Sequence, residues 1–348
     1  MNRWKSQIGI ILAVMGSAIG LGNFLRFPGL AAQYEGGVFM IPYFIALLLL
    51  GLPIAWAEWG IGRAGGNLGY NSAPGIFRAL WKNRLSPYIG VIGLIVPVGI
   101  YMYYILIESW CLYYAWQYLS GVFPLGIKNP EEYSQTFNQL VGMNKNGDVF
   151  STGKVSLVFL LFCCLLNFIF IYRGLAKGIE LVCKIAIPAL FFCAIIVLVR
   201  VLTLGTPDPD IPDQNVMNGL GFMWNLHIED GTFWNKLLNA DMWLAAAGQI
   251  FFSLSVGFGV IINYASYLKK NDELVLSAVT SVSGNEFAEV ALGGMITIPA
   301  AFIFLGLSIK TLSVLYPTKM LCSGMYTISI SSIKLNIASE SICLYICV

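Results

Sequence analysis

The first long apolar run is interrupted where a membrane helix tolerates it least. Gly16-Ser17-Ala18-Ile19-Gly20-Leu21-Gly22-Asn23-Phe24-Leu25-Arg26-Phe27-Pro28 puts three glycines, an amide, an arginine and a proline into one hydrophobic segment. Inside a helix glycine costs about 1 kcal/mol relative to alanine and proline about 3. A charge at membrane depth is more expensive again and marks a functional position. In hydrocarbon every backbone N–H and C=O needs an internal partner. The economical reading is a helix broken near mid-membrane, its freed backbone groups turned to a ligand. Two blander readings compete. Arg3, Lys5, the run Ile8–Val14 and Gly16-Ser17-Ala18 resemble a secretory signal peptide, although the run continues past Leu21. Glycines can also serve close helix packing alone.

The rest of the chain decides between them. Of 348 residues, 57% are hydrophobic and only 11% charged, with a mean hydropathy of +0.75, far from the roughly 25% charged residues of soluble domains. Seven runs are long enough to cross a bilayer, near 8–32, 37–60, 87–119, 155–172, 179–202, 241–268 and 274–308. Loops on one side carry Arg3 and Lys5, then Arg63, Arg78, Lys82 and Arg84, then Arg173, Lys177 and Lys184, then Lys269 and Lys270. Loops on the other carry Glu131, Glu132 and Asp148, then Asp208, Asp210, Asp213, Glu229 and Asp230. The positive-inside rule assigns the N-terminus to the cytoplasm; a multi-pass location in the inner (plasma) membrane is the expectation. A net charge of +2 gives no reason to expect nucleic acid. Cys111, Cys163, Cys164, Cys183 and Cys193 lie within apolar runs and read as small hydrophobes. The single histidine, His227, lies in a polar loop, so zinc and histidine chemistry have no support.

Within the runs, Glu58 and Glu108 are carboxylates at membrane depth and should face the protein interior, paired or protonated. Most of the tyrosines of the third run, from Tyr101 to Tyr118, read as packing or interfacial residues. The sixth run repeats the anomaly of the first, with Gly248-Gln249-Ile250-Phe251-Phe252-Ser253-Leu254-Ser255-Val256-Gly257-Phe258-Gly259. Two interrupted spans five apart point to an inverted-repeat transporter with its site at the breaks. The stretches near Ala18–Gly22 and Ser255–Gly259 are therefore expected to leave the helix and face each other. In the seventh run Asn285 and Glu289 share one helix face, with Glu286 between them.

These residues carry a resemblance. Gly20-Leu21-Gly22-Asn23-Phe24-Leu25-Arg26-Phe27-Pro28, Pro42-Tyr43, Glu58-Trp59-Gly60-Ile61-Gly62-Arg63, Ile107-Glu108-Ser109-Trp110, Lys177-Gly178-Ile179-Glu180, Gly248–Ser255 and Asn285-Glu286 all resemble the neurotransmitter:sodium symporters. The likeness is strongest to bacterial amino-acid members such as the bacterial leucine transporter, and it runs from residue 4 to about residue 309. It implies an all-α integral membrane protein with the inverted-repeat transporter fold, its first and sixth spans discontinuous. About seven of the family's roughly twelve spans are present. Residues 1–309 would form the sodium symporter transmembrane domain, with the first repeat complete and the second partial. Residues 310–348 read as an atypical tail, frameshifted or non-native.

The resemblance also implies roles. One sodium ion would be held by the Ala18 carbonyl, Asn23, Ser253 and Asn285, together with the substrate carboxylate. A second would use the Gly16 and Ile19 carbonyls, its other ligands belonging to an eighth span. Leu21, Gly22 and Tyr104 would bind the substrate carboxylate, and carbonyls around Phe252, Ser253 and Ser255 the ammonium group, with Ala18 also among the substrate-binding residues. Ile100, Phe252 and Phe258 would line a side-chain pocket suited to a small or medium apolar amino acid. Arg26 and Phe252 would form the outer gate, with Arg26 lacking its acidic partner from a tenth span; Ser266 and Tyr267 would belong to the inner gate. Glu289, beside Tyr43 and Gln249, would supply the negative charge that chloride supplies in other members. The implied activity is sodium-coupled, chloride-independent symport of an amino acid by alternating access. No cofactor is implied beyond sodium as the coupling ion, and a homodimer is compatible. No catalytic constellation argues for an enzyme. The alternative expectation is a truncated membrane fragment with no transport of its own.

Overall fold

The computed structural model describes residues 3–121, 154–207, 209–226 and 232–305. Glu131, Glu132, Asp148, Asp208, His227, Glu229, Asp230 and the tail 310–348 lie outside the described residues. Every regular element among those described is helical. The helices are α1 (Gln7–Ala18), α2 (Phe27–Gln33), α3 (Gly37–Ala46), α4 (Leu52–Asn67), α5 (Ala73–Leu80), α6 (Ser86–Leu119) and α7 (Lys154–Tyr172). They continue as α8 (Glu180–Leu202), α9 (Val216–Trp224), α10 (Phe233–Leu237), α11 (Ala240–Ser253), α12 (Val260–Ala265), α13 (Val275–Glu286) and α14 (Met295–Leu305). Four π-helical stretches, Gly22–Arg26, Leu47–Gly51, Leu175–Ile179 and Phe287–Gly294, join or precede them. Such wide turns shift the hydrogen-bond register without leaving backbone groups bare, and they gather at functional places.

All seven apolar runs are helical, but not in the same way. Gly37–Asn67, Ser86–Gln117, Glu180–Leu202 and Val275–Ile303 are each long and apolar enough to span a bilayer. Gln7–Ala18 and Gly22–Gln33 make a fifth span only as a pair, bent by 47° at the break. The sixth run is divided between α11 and α12, with a turn at 254–259. Outward-facing side chains such as Leu48, Leu49, Phe168 and Phe192 are exposed, which suits a surface solvated by lipid.

The core forms where the broken spans cross the continuous ones. Val14, Phe27, Phe39, Tyr43, Trp59, Ile250, Leu254 and Ile261 belong to one buried cluster. The start of α1 is tied down at one end of the bundle. Trp4 donates its indole N–H to the Tyr264 carbonyl at 2.9 Å, and their rings meet edge to face. The buried Glu180 accepts from the Lys5 N–H (2.9 Å), the Ser6 hydroxyl (3.0 Å) and Lys184 Nζ (2.7 Å). Arg63 Nη1 reaches the Asp272 carbonyl at that same end. The basic loops anticipated from the sequence therefore gather on one side of the bundle. Lys236 and Glu35 form an ion pair of 2.8 Å at the other.

Close approach of α4 and α12 depends on residues without side chains. A Cβ on Gly66 would fall on the Ser266 carbonyl, and one on Gly62 on the Ile262 carbonyl, whereas Gly60 on the same helix faces open space. Replacing Gly66 by valine should therefore destabilise the fold by about 1–3 kcal/mol through overpacking. Gly60→Ala should leave stability unchanged or slightly raised, since alanine is the better helix former. Thermal unfolding of the detergent-solubilised protein distinguishes the two variants, and equal midpoints would contradict the close packing.

Candidate functional site

The break in the first span is narrower than the glycines suggest. Only Ile19 and Gly20 leave the helix, Ile19 in extended backbone (φ −70°, ψ 122°), and winding resumes at Leu21 with the π-turn Gly22–Arg26. Side chains replace the lost helical bonds. Gly20 N–H, which would otherwise close on Gly16, donates to Asn23 Oδ1 at 2.8 Å. Leu21 N–H, which would close on Ser17, donates to the Tyr104 hydroxyl at 3.1 Å. The Ser17 carbonyl in turn accepts from the Ser255 hydroxyl at 3.0 Å, which is a direct bond between the two breaks. The expectation of an unwound Ala18–Gly22 is thus corrected at both ends. Asn23 and Tyr104 satisfy the N–H groups early enough for helical winding to restart.

The break in the sixth span is a full turn. Ser255 has φ +54°, a left-handed conformation rare for a residue with a side chain, and Gly257 and Gly259 have φ +82° and +80°. The Gly257 N–H exposed by this turn donates to Glu58 Oε1 at 2.7 Å. Glu58 is buried and faces the interior, which accounts for a carboxylate within an apolar span. Glu108 is half-buried and accepts from Asn167 Nδ2 at 2.9 Å, linking α6 to α7.

Behind the breaks lies a dry polar cluster. Asn23, Gln249, Ser253, Asn285 and Glu289 all have relative exposures of 0–1%. Asn23 Nδ2 lies 3.0 Å from Asn285 Oδ1, 3.2 Å from Glu289 Oε2, 3.3 Å from the Asn285 carbonyl and 3.5 Å from Ser253 Oγ. Asn285 Nδ2 donates to Ser253 Oγ at 2.8 Å, and Ser253 donates to Glu289 Oε2. Gln249 Nε2 bridges the Gly22 carbonyl (3.0 Å) and Glu289 Oε1 (2.7 Å). Four oxygens of different chemistry, from the three residues Ser253, Asn285 and Glu289, thus converge on one small volume between three spans. Among the described residues no group of three His, Cys, Asp or Glu side chains is placed to hold a metal. Amide, hydroxyl and carbonyl oxygens with a single carboxylate instead suit a hard cation of low charge.

The resemblance sets Tyr43 beside Glu289, and here the structure shifts the emphasis. The Tyr43 hydroxyl donates to Glu286 Oε2 at 2.6 Å, and the phenol lies between the Glu286 and Glu289 carboxylates. Tyr43 is fully buried on α3, and Glu286 closes α13 one turn before Glu289. Glu286 is the residue that the sequence reading passed over as a site member. Its spacing from Glu289 on one helix was the available signal.

A cavity of about 270 Å³ opens beside this cluster. Gly16, Ala18, Ile19, Gly22, Ile100, Tyr104, Phe252, Ser255 and Phe258, all anticipated from the sequence, are on its wall, together with Ser17, Pro97, Tyr101 and Val260, which were not. Pro97, Ile100, Tyr101 and Tyr104 are spaced as one face of α6, so helical periodicity from Tyr104 was the missed signal. Leu21 and Ser253 are not on the wall: Leu21 turns its N–H to Tyr104, and Ser253 sits in the dry cluster. Arg26 is exposed, donates to the Gly248 carbonyl at 3.0 Å and places its guanidinium 5.1 Å from the Phe252 ring centre. Phe252 meets Phe258 edge to face at 6.5 Å. Ser266 and Tyr267 are away from the cavity, Ser266 bonded to the Asn263 carbonyl and Tyr267 packed on the core at the end that holds Trp4.

Two broken apolar spans thus face each other around a polar cluster, beside a cavity of about 270 Å³, in a bundle whose other long helices are apolar enough to cross a membrane. The chain belongs to the sodium:neurotransmitter symporter family, whose model matches residues 1–145 and 128–311. It is 36% identical over 280 residues to an uncharacterised sodium-dependent transporter of Methanocaldococcus jannaschii, covering 80% of this chain and 51% of that protein. It is 31% identical over 300 residues to the sodium-dependent neutral amino acid transporter B(0)AT3 of Rattus norvegicus, covering 80% and 44%. The crystal structure of MhsT in complex with L-phenylalanine superposes with a TM-score of 0.72 at 27% identity, covering 99% of this chain and 73% of that one. The chain spans about half the length of the curated relatives it matches, from 44% to 61% of theirs.

Proposed function

We propose that residues 1–309 bind sodium and an apolar amino acid for a sodium-coupled symporter, and that this transport is independent of chloride. The observation that carries the reading is the convergence of Ser253, Asn285 and Glu289 oxygens on Asn23, one residue layer from the cavity. Sodium would take the Ala18 carbonyl, Asn23, Ser253 and Asn285, with the substrate carboxylate completing the shell. Gly16 and Ile19 carbonyls would serve a second ion. The cavity wall is apolar at Ile100, Phe252 and Phe258 and polar at Ser17 and Ser255 beside the breaks, which favours an apolar side chain with its amino and carboxyl groups toward the backbone. The names of the rat relative and of the MhsT complex agree with an amino-acid substrate. In this reading Arg26 over Phe252 closes the cavity from one side, and Ser266 and Tyr267 belong to the closure on the other. The basic end of the bundle is assigned to the cytoplasm.

A scintillation-proximity panel of labelled amino acids in sodium and in potassium tests the reading. Binding of small and medium apolar amino acids in sodium alone is the expected result. Tyr104→Phe should then weaken binding by about 1.5–3 kcal/mol, the contribution of a hydrogen bond to a charged group. Unchanged affinity would remove Tyr104 as the carboxylate anchor.

Glu289 supports chloride independence because a buried carboxylate already supplies a fixed negative charge beside the cation ligands. Glu289→Ser, made in a full twelve-span relative, should create a requirement for chloride. Uptake equally fast in gluconate and chloride by that variant would count against the assignment.

A further inference from the structure

We propose that the surface of segment 68–88, on the basic end of the bundle, is a docking site for the headgroups of anionic phospholipids. The segment contains α5, whose Ala73 and Ile76 are buried between α4 and α6. Its outer face is of a different kind. Arg78, Lys82 and Arg84 are exposed and make no ion pair with any described residue. The sequence offers them none nearby, because no Asp or Glu occurs between Glu58 and Glu108. Of the acids in loop 269–273, Asp272 turns its carboxylate to the Lys269 N–H, and Glu273 makes no ion pair with these cations among the described residues. Three uncompensated cations on one short segment are a site for an anion of distributed charge.

The composition of the same face identifies that anion as lipid. The cations are interleaved with Trp81, Leu85 and Tyr88, which are 48%, 62% and 73% exposed. Aromatic and aliphatic groups mixed with arginine and lysine are the composition of a membrane–water interface, where rings and methylenes sit among headgroups and cations meet phosphate. A soluble phosphate or an acidic protein would leave these apolar groups unused. A phospholipid engages both at once, its headgroup on the cations and its methylenes on Trp81, Leu85 and Tyr88.

Native mass spectrometry of the detergent-solubilised full chain, with equimolar phosphatidylglycerol and phosphatidylcholine, tests the proposal. The unaltered protein should retain phosphatidylglycerol with a preference of about tenfold or more, as expected for several cations near a headgroup layer. The R78Q/K82Q/R84Q variant should lose that preference, R78K/R84K should keep it, and K269Q/K270Q, altered elsewhere on the same end, should keep it too. If the triple variant does not fold, a salt series on the unaltered protein decides. Between about 0.05 and 0.5 M salt the preference should collapse, because exposed charges are screened over that range. Undiminished preference in the triple variant or at high salt would overturn the site. So would displacement of the lipid by an equal concentration of glycerol 3-phosphate, which carries the phosphate without the chains.

Discussion

Backbone satisfaction in hydrocarbon is the constraint on which the rest of this structure depends. A break in a spanning helix frees N–H and C=O groups that lipid cannot solvate, at several kcal/mol each on hydrocarbon transfer scales. Here four of the freed groups have named replacements. Asn23 takes the Gly20 N–H, Tyr104 the Leu21 N–H, Glu58 the Gly257 N–H, and Ser255 gives its hydroxyl to the Ser17 carbonyl. These four side chains come from four different spans. The breaks are therefore held open by the tertiary fold, and the side chains that hold them are the ones that shape the site.

The polar cluster and the cavity follow from that arrangement. Asn23 serves two roles, since its oxygen restores the helix at Gly20 while its nitrogen lies among the oxygens of Ser253, Asn285 and Glu289. Gln249 fixes the distance between the spans by reaching both the Gly22 carbonyl and Glu289. A change in what occupies the cluster would act directly on the groups that keep both breaks in register. Coupling between an ion and a substrate in the adjoining cavity needs a shared element of this sort.

Much of this was legible in the sequence because glycine, proline and charge are conspicuous in an apolar run. The two interruptions and the interior orientation of Glu58 follow from residue type, whereas the gathering of cavity residues around Ile100, Tyr104 and Phe252 was implied by the resemblance and not by composition or spacing. The extent of the first break did not, because it depends on how soon Asn23 and Tyr104 can accept the stray N–H groups. The bond from Tyr43 to Glu286 was hidden for a related reason: α3 and α13 are far apart in sequence, and either carboxylate was within one helical turn. The π-turns at 22–26 and 287–294 left no composition signal, since they reflect register shifts imposed by packing.

The central claim is that the cluster around Asn23 is a sodium site, and a ligand that binds the native state raises its unfolding midpoint by mass action. The direct measurement is the thermal midpoint of the purified chain in sodium and in potassium at equal ionic strength, for the unaltered protein and for Asn285→Ala. The account predicts a higher midpoint in sodium than in potassium, and the loss of that difference when Asn285 is removed. Equal midpoints in the two salts, or a sodium effect that survives in Asn285→Ala, would contradict it.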